Sequence, residues 1–421
     1  MSRYLLTLLI LSTGFTFSAS LPTRATDKNI DQNFELSEKD SVGELGISYK
    51  GFIRLDGVYS LRQPVGAREG ILYQYPQAVE LNDEGQDVNA APLINMASIF
   101  SRGAIRFDGP VVNGVKNYAY VEADFFGHLD NTISNFRLRH AFIHLHDSQF
   151  HLTLGQRWSV FTAHQYFPGL INPGAGHPVQ PFARHPGIYF DWFPSEQFHF
   201  RSSVAMQRDA FAEFGARNDL QQNSGLPIAS GSVLWKPVEQ VNLGLAAMGK
   251  AVRPETTVDN LYSGAVQAFG QWKIIPNLRL RGRAVWGTNM ADHQMLGGFV
   301  QLNDGSYQAL STTSQWLDLD YDINKQWSVG LFGGFTANLG MLQATGTAQS
   351  FSARAPNQAW SAFLVPRLVY QPAEQLRFSL EVNNAQSMYA SAYDERLRPQ
   401  VQAEDRAVYN MHVGLTSMFI F

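Results

Sequence analysis

Polarity alternates along most of this chain with a period of two. In "NLRLRGRAVWG" (277–287), Arg279, Arg281 and Arg283 occupy every second position, with Leu280, Gly282 and Ala284 between them. Such alternation marks an extended strand with one wet face and one apolar face. From Ser48 onward the pattern recurs in segments of about ten residues bounded by turn signals. Sixteen segments are readable, near 48–61, 97–108, 115–127, 135–147, 150–160, 186–194, 197–207 and 226–236, then near 240–250, 261–273, 278–290, 313–323, 326–339, 357–371, 375–388 and 405–421.

Loop lengths segregate by parity. One set is short and rich in turn residues, including "DSQ" (147–149), "PSE" (194–196), "IIPN" (274–277) and "NK" (324–325). The alternate set is long, at 62–96, 161–185, 208–225, 291–312, 340–356 and 389–404, with shorter members at 128–134 and 251–260. A soluble sandwich has no reason to sort its loops this way. A membrane-spanning up-and-down barrel does, with tight turns at one mouth and long loops at the other. The pattern therefore predicts an all-β, transmembrane, antiparallel barrel of sixteen strands over 48–421, with lipid outside and water inside. Trp192, Phe193, Trp235, Trp272 and Trp327 flank short turns, whereas Trp158, Trp286 and Trp360 lie toward the long loops. Two aromatic bands at strand ends suit the two membrane interfaces. The last strand ends in Phe421 and places Tyr409, Met411, Val413, Leu415, Ser417 and Phe419 on one face. A terminal Phe is a frequent signal to the barrel-assembly machinery, which makes that machinery an expected partner.

The first 25 residues carry Arg3, an apolar "YLLTLLIL" (4–11) and then small or polar residues. That is a secretory signal peptide, with cleavage expected after Ser20 or Ala25, and its apolar run is too short to span a bilayer. Residues 26–47 form a polar extension. Export and a barrel together point to the outer membrane of a Gram-negative cell, with its lipid and lipopolysaccharide as surroundings.

Composition narrows the function. The net charge of −4 and the absence of a basic block exclude a nucleic-acid partner. Cysteine is absent, which removes thiolate metal sites, disulfides and a Cys nucleophile. Lysine and arginine total 32, of which 24 are Arg. That bias suits planar guanidinium groups placed to meet carboxylates or phosphates. No G-x-S-x-G elbow or phosphate-cradling glycine loop is present, so no enzyme activity and no cofactor are expected. His140, His144 and His146 lie close in sequence, but with only Asp147 beside them no metal site is expected.

"GFIRLDGVYSL" (51–61), "LRHAFIHLHDSQFHLTLGQRWSVF" (138–161, with "GQRWS" at 155–159) and the final "FIF" resemble Gram-negative porins. The likeness is strongest to the DcaP-like trimeric porins, and more distant to the phosphate-selective and general trimeric porins. The resemblance implies a homotrimer, a third external loop folded inward to narrow each pore, and passive uptake of small anions such as dicarboxylates. The longer N-terminal coiled-coil extension common in DcaP-like proteins has only the brief 26–47 in its place.

Three features carry candidate chemistry. The loop 161–185, third on the long side, contains no Asp or Glu, while His164, Tyr166, His177, Arg184 and His185 lie in or next to it. An acid-free constriction favours anions. Apolarity assigns Arg102 and Arg106 to the inner face of the second strand, Glu122 and Asp124 to the third, Arg137 and Arg139 to the fourth, Arg157 to the fifth and Arg201 to the seventh. The phase of the fourth strand is ambiguous, because His140, His144 and His146 compete for the same lumen. Finally, Arg279, Arg281 and Arg283 should face Asp318, Asp320 and Asp322 on the following strand, where opposite charges stabilise by about 0.2–1 kcal/mol per pair. That matched wall ranks below the early-strand arginines as a filter. The leading expectation is an anion-preferring porin for small dicarboxylates or similar anions. The alternative is a general or sugar-preferring porin, in which loop aromatics stack on rings.

Overall fold

The computed structural model describes residues 46–128, 130–207, 219–344 and 346–421. The expected signal peptide and nearly all of the polar extension lie outside these residues, as does most of the 208–225 loop.

Sixteen antiparallel strands form a closed ring. They are β1 (Ile47–Ser60), β2 (Arg102–Asp108), β3 (Lys116–Asp124), β4 (Arg137–His146), β5 (Phe150–Trp158), β6 (Arg184–Ser195), β7 (Phe198–Ala205) and β8 (Ile228–Val238), followed by β9 (Val241–Val252), β10 (Leu261–Ile275), β11 (Leu278–Thr288), β12 (Tyr307–Asp322), β13 (Trp327–Met341), β14 (Gln358–Ala373), β15 (Leu376–Tyr389) and β16 (Ala407–Ile420). Each pairs with its neighbours in sequence, and β16 pairs back onto β1 from Phe52↔Ile420 to Ser60↔His412. Closure leaves no unpaired sheet edge, which is what a structure bathed in lipid requires. Shorter strands, among them Leu93–Ala97, Gly297–Leu302 and Ala348–Arg354, belong to the long loops.

The sheet is inside out. On β12, Leu317 is 62% exposed and its neighbour Asp318 is wholly buried. The same holds around the ring: Ile53, Leu245, Leu364 and Leu415 point outward, while Arg54, Arg283, Arg367 and Thr416 are buried. Trp192, Trp235, Trp272 and Trp327 are also exposed on the outer face at the short-turn end, and Trp286 toward the other end.

Strand positions follow the sequence periodicity closely, with one instructive departure. The second segment, expected over 97–108, is broken. Leu93–Ala97 pairs with the outer half of β1 (Asp56↔Ala97), β2 pairs with its inner half (Gly51↔Gly103), and residues 98–101 form the step between them.

Candidate functional site

The early strands concentrate charge on the lumen side. Arg102 and Arg106 on β2, Glu122 and Asp124 on β3, Arg137 and Arg139 on β4, Arg157 on β5, Arg184 on β6 and Arg201 on β7 are all buried there. The phase ambiguity of β4 resolves through a bulge. Glu122 pairs with His140 but Ala123 pairs with Leu138, so Arg139 is an extra residue opposite a single step of β3. A bulge of this kind shifts the alternation by one residue. His140, Phe142 and His144 therefore face inward on one side of it, and Arg139 and Arg137 on the other.

Several of these arginines are ion-paired. Arg137 meets Asp124 at 2.6 Å, and Arg139 bridges Glu122 at 2.5 Å and Asp124 at 3.1 Å. Arg102 lies 3.6 Å from Glu122. Arg106 binds Asp108 at 2.6 Å and stacks over Tyr118, and Arg201 binds Asp191 at 2.7 Å. Arg157 donates to Thr153 Oγ1 at 2.8 Å, and the Arg184 guanidinium stands 4.9 Å from the Trp158 ring centre. Arg139 approaches the same Trp158 ring at 5.9 Å, and His140 packs on it with ring centres 5.6 Å apart. At fully buried strand positions, arginine outnumbers carboxylate twelve to six among the described residues. Adding half-buried Arg279, Asp108, Asp320 and Asp322 narrows the excess without reversing it.

The later ladder is matched in register, with Arg279↔Asp320 and Arg281↔Asp318. Arg283 instead faces Trp316 across the strands. The side chains slip diagonally: Arg281 binds Asp320 at 2.6 Å and stands 3.9 Å from Asp318. A cation from two strands away completes the network, Arg367 of β14, which binds Asp318 at 2.7 Å and also bonds Asp320.

This wall holds the segment between β5 and β6, residues 159–183. Arg281 donates to the Phe167 carbonyl at 2.7 Å, and Arg283 to those of Thr162 and Ala163 at 2.7 and 3.0 Å. Arg54 of β1 donates to Ile171 O at 2.7 Å. In the other direction, Gly169 N–H donates to Asp318, and Ile171 and Asn172 N–H to Glu381 of β15. The segment thus leaves the β5–β6 edge and bonds to inward side chains of β1, β11, β12 and β15. A loop free of acids can rest on this wall because its carbonyls meet guanidinium groups and its N–H groups meet carboxylates.

Of the loop candidates, His164 is buried and stacks on Trp158 with ring centres 5.7 Å apart. Tyr166 packs on Phe269 at 5.1 Å, and His177 lies against Phe182 at 4.7 Å and Tyr73 at 5.5 Å. His185 and Arg184 are not loop residues. Both belong to β6, whose pairing with β5 extends to Arg157↔His185 and Trp158↔Arg184, and His185 packs on His293 of the 289–306 loop.

The sequence reading missed a second inserted segment. In the first long loop, Ile71, Leu72, Tyr73, Gln74 and Tyr75 are all buried. Asn172 donates to Ile71 O at 3.0 Å, Tyr73 Oη to Gln294 at 2.9 Å, and Asn383 to Gln74 Oε1 at 3.0 Å. The run "GILYQYP" (70–76) was the available signal, since a water-bathed loop rarely carries so many large apolar residues. Arg54, Asp56, Arg367, Arg377 and Glu381 were missed as well, although "GFIRLDGVYSL" shows the same alternation as the 279–283 ladder.

Comparison with solved structures agrees with this geometry. The outer membrane channel DcaP of Acinetobacter baumannii superposes with a TM-score of 0.69 at 13% identity, over 89% of this chain and 97% of that one. The fold is that of the sixteen-stranded porins. An anion-selective porin from Comamonas acidovorans follows the same path, with a TM-score of 0.57 at 10% identity over 89% of this chain and 99% of that one. A trimer form of Vibrio cholerae OmpT gives 0.53 at 11% identity over 89% and 99%. No family model and no curated sequence matches the chain.

Proposed function

We propose that this porin-fold chain is a passive outer-membrane channel that prefers small anions, with dicarboxylates as the favoured class. The observation that carries the reading is the twofold excess of arginine over carboxylate at buried strand positions, in a chain whose net charge is −4. Positive charge is gathered on the lumen face against the overall balance. A low-dielectric wall focuses such a field on passing ions. Arg139 and Arg184 both approach Trp158 beside the acid-free loop, and a solute with two carboxylates can exchange between neighbouring guanidinium groups without being trapped. The name of the Comamonas porin supports anion preference, and that of DcaP supports an outer-membrane channel. The trimer form of OmpT supports a homotrimer.

A sugar-preferring channel finds less support, because Trp158, Phe167 and Phe182 pack on one another and are buried. The test is the reversal potential in a planar bilayer under a salt gradient. A potential of the sign set by anion flow is expected, and cation preference overturns the reading.

A further inference from the structure

A third segment folds against the inner wall, with an ion pair that the lumen arginines do not explain. After β11, residues 289–296 are all buried, none more than 2% exposed. The turn crosses β10 and reaches β9, where Lys250 Nζ lies 3.0 Å from Asp292 Oδ1 and neither side chain has exposed surface. His293 Nδ1 stands 3.1 Å from the same carboxylate oxygen, and His185 of β6 packs on the His293 ring. Met290 and Met295 join Met248, Phe269 and Phe161 in one apolar cluster.

The same turn holds both of the other inserted segments. His293 O accepts the Phe182 N–H at 2.9 Å, and the His293 ring meets Phe161 edge-on at 5.6 Å, so both ends of the 159–183 segment rest on one residue. Next to it, Gln294 Oε1 accepts the Tyr73 hydroxyl from the tip of the first loop at 2.9 Å. Asp292 immediately precedes these two holders. Apolar contacts have no direction, so the ion pair is what fixes the turn's place along β9.

We propose that Asp292 is a positioning residue for both inserted segments: through Lys250 it sets where the 289–296 turn sits, and thereby how much of the lumen the segments occlude. The inference rests on the channel reading above. A buried ammonium that loses its carboxylate is strongly disfavoured and draws water to itself. Hydration of Lys250 lifts the turn from β9, and the His293 carbonyl and the Gln294 amide move with it. Each inserted segment then loses one anchor, and the passage beside it widens.

The experiment compares single-channel conductance and chymotrypsin cutting within 159–183, using the full chain in its folded, heat-modifiable form. Asp292→Asn keeps the shape of the side chain and removes its charge. Conductance should rise at least twofold. Cutting after Phe161, Phe167 or Phe182, all buried in the unaltered chain, should speed up at least tenfold. Lys250→Gln leaves Asp292 beside His293 and should move both readouts the same way. Asp304→Asn removes the same charge from the exposed part of the same loop, where Asp304 accepts from Ser306 N–H, and should move neither. A folded Asp292→Asn that conducts and resists cutting like the unaltered chain overturns the proposal. So does failure of both variants to reach the heat-modifiable form, which would make the pair a support of the barrel itself. Cutting is read without current, so an unaltered chain that passes none would remove the channel reading and leave the anchor to be judged by proteolysis.

Discussion

Arg367 on β14 reaches over β13 to bind Asp318 on β12 at 2.7 Å, and it crosses at Gly330. A Cβ on Gly330 would stand 2.3 Å from the guanidinium carbon. The glycine is therefore the gap through which charge is shared across three strands, and Gly169 of the inserted loop sits on the same ion pair, its own Cβ position 2.5 Å from Arg367 Nη2. Gly330→Val should push the guanidinium aside and leave Asp318 buried without its main partner. Breaking a buried pair costs about 3–5 kcal/mol. The temperature at which the barrel loses its heat-modifiable gel migration should fall clearly. Gly333→Val, where a Cβ meets nothing within 4 Å, should leave that temperature unchanged.

Selectivity should answer to Arg157 more cleanly than to Arg139. Arg139 is almost wholly buried between Glu122 and Asp124, and its loss disturbs two carboxylates together. Neutralising both arginines at once would therefore confuse folding with permeation. Arg157→Gln keeps a donor for Thr153 and removes one positive charge. Anion over cation permeability, read from reversal potentials, should drop about twofold or more with thermal stability retained. An unchanged ratio would remove Arg157 from the filter.

Removal of residues 70–76 takes out the buried tip of the first loop, which bonds to Asn172, Gln294 and Asn383. Single-channel conductance should rise, because the segment occupies space on the lumen side of the barrel. An unaltered conductance would place the ion path elsewhere in the cross-section.

The base of that loop should loosen in acid. Burial acts to raise the Asp87 carboxyl, but hydrogen bonds from Arg62 and from the backbone N–H groups of Glu80 and Asn89 outweigh it and hold the group below its usual range. A carboxyl depressed in the folded state contributes its stabilisation above the unfolded pKa and loses it as pH falls through the folded one. Proteolytic cutting within 61–101 by an acid-active protease should therefore increase as pH falls below 3.8, and Asp87→Asn should show the faster cutting already at higher pH.

The barrel was legible because a strand with lipid on one side and water on the other obeys strict alternation, and Leu317 beside Asp318 shows how sharply. The parity of loop lengths supplied the topology. What stayed hidden depends on contacts between distant positions. The bulge at Arg139 has no local signal, since "RLRHAF" fits either phase. Arg367 finds its carboxylates two strands away, and its role depends on a glycine in the strand between. The buried tip at 71–75 looked like ordinary loop because periodicity says nothing about where a loop rests. His185 was taken for loop because the sixth alternating segment was read only from 186, yet the β5–β6 pairing runs through it.

The seam between the first and last strands carries one more consequence. Gly51 and Phe421 exchange both of their backbone hydrogen bonds, at 2.8 and 2.9 Å, and the Phe421 ring lies where a Cβ on Gly51 would be. Phe421 thus fastens one end of the hoop. During biogenesis the polypeptide must be kept as an open ribbon with two sticky borders until β16 has arrived. A chain without β16 would leave a β1 edge with nothing to clasp and a sheet free to join its neighbours.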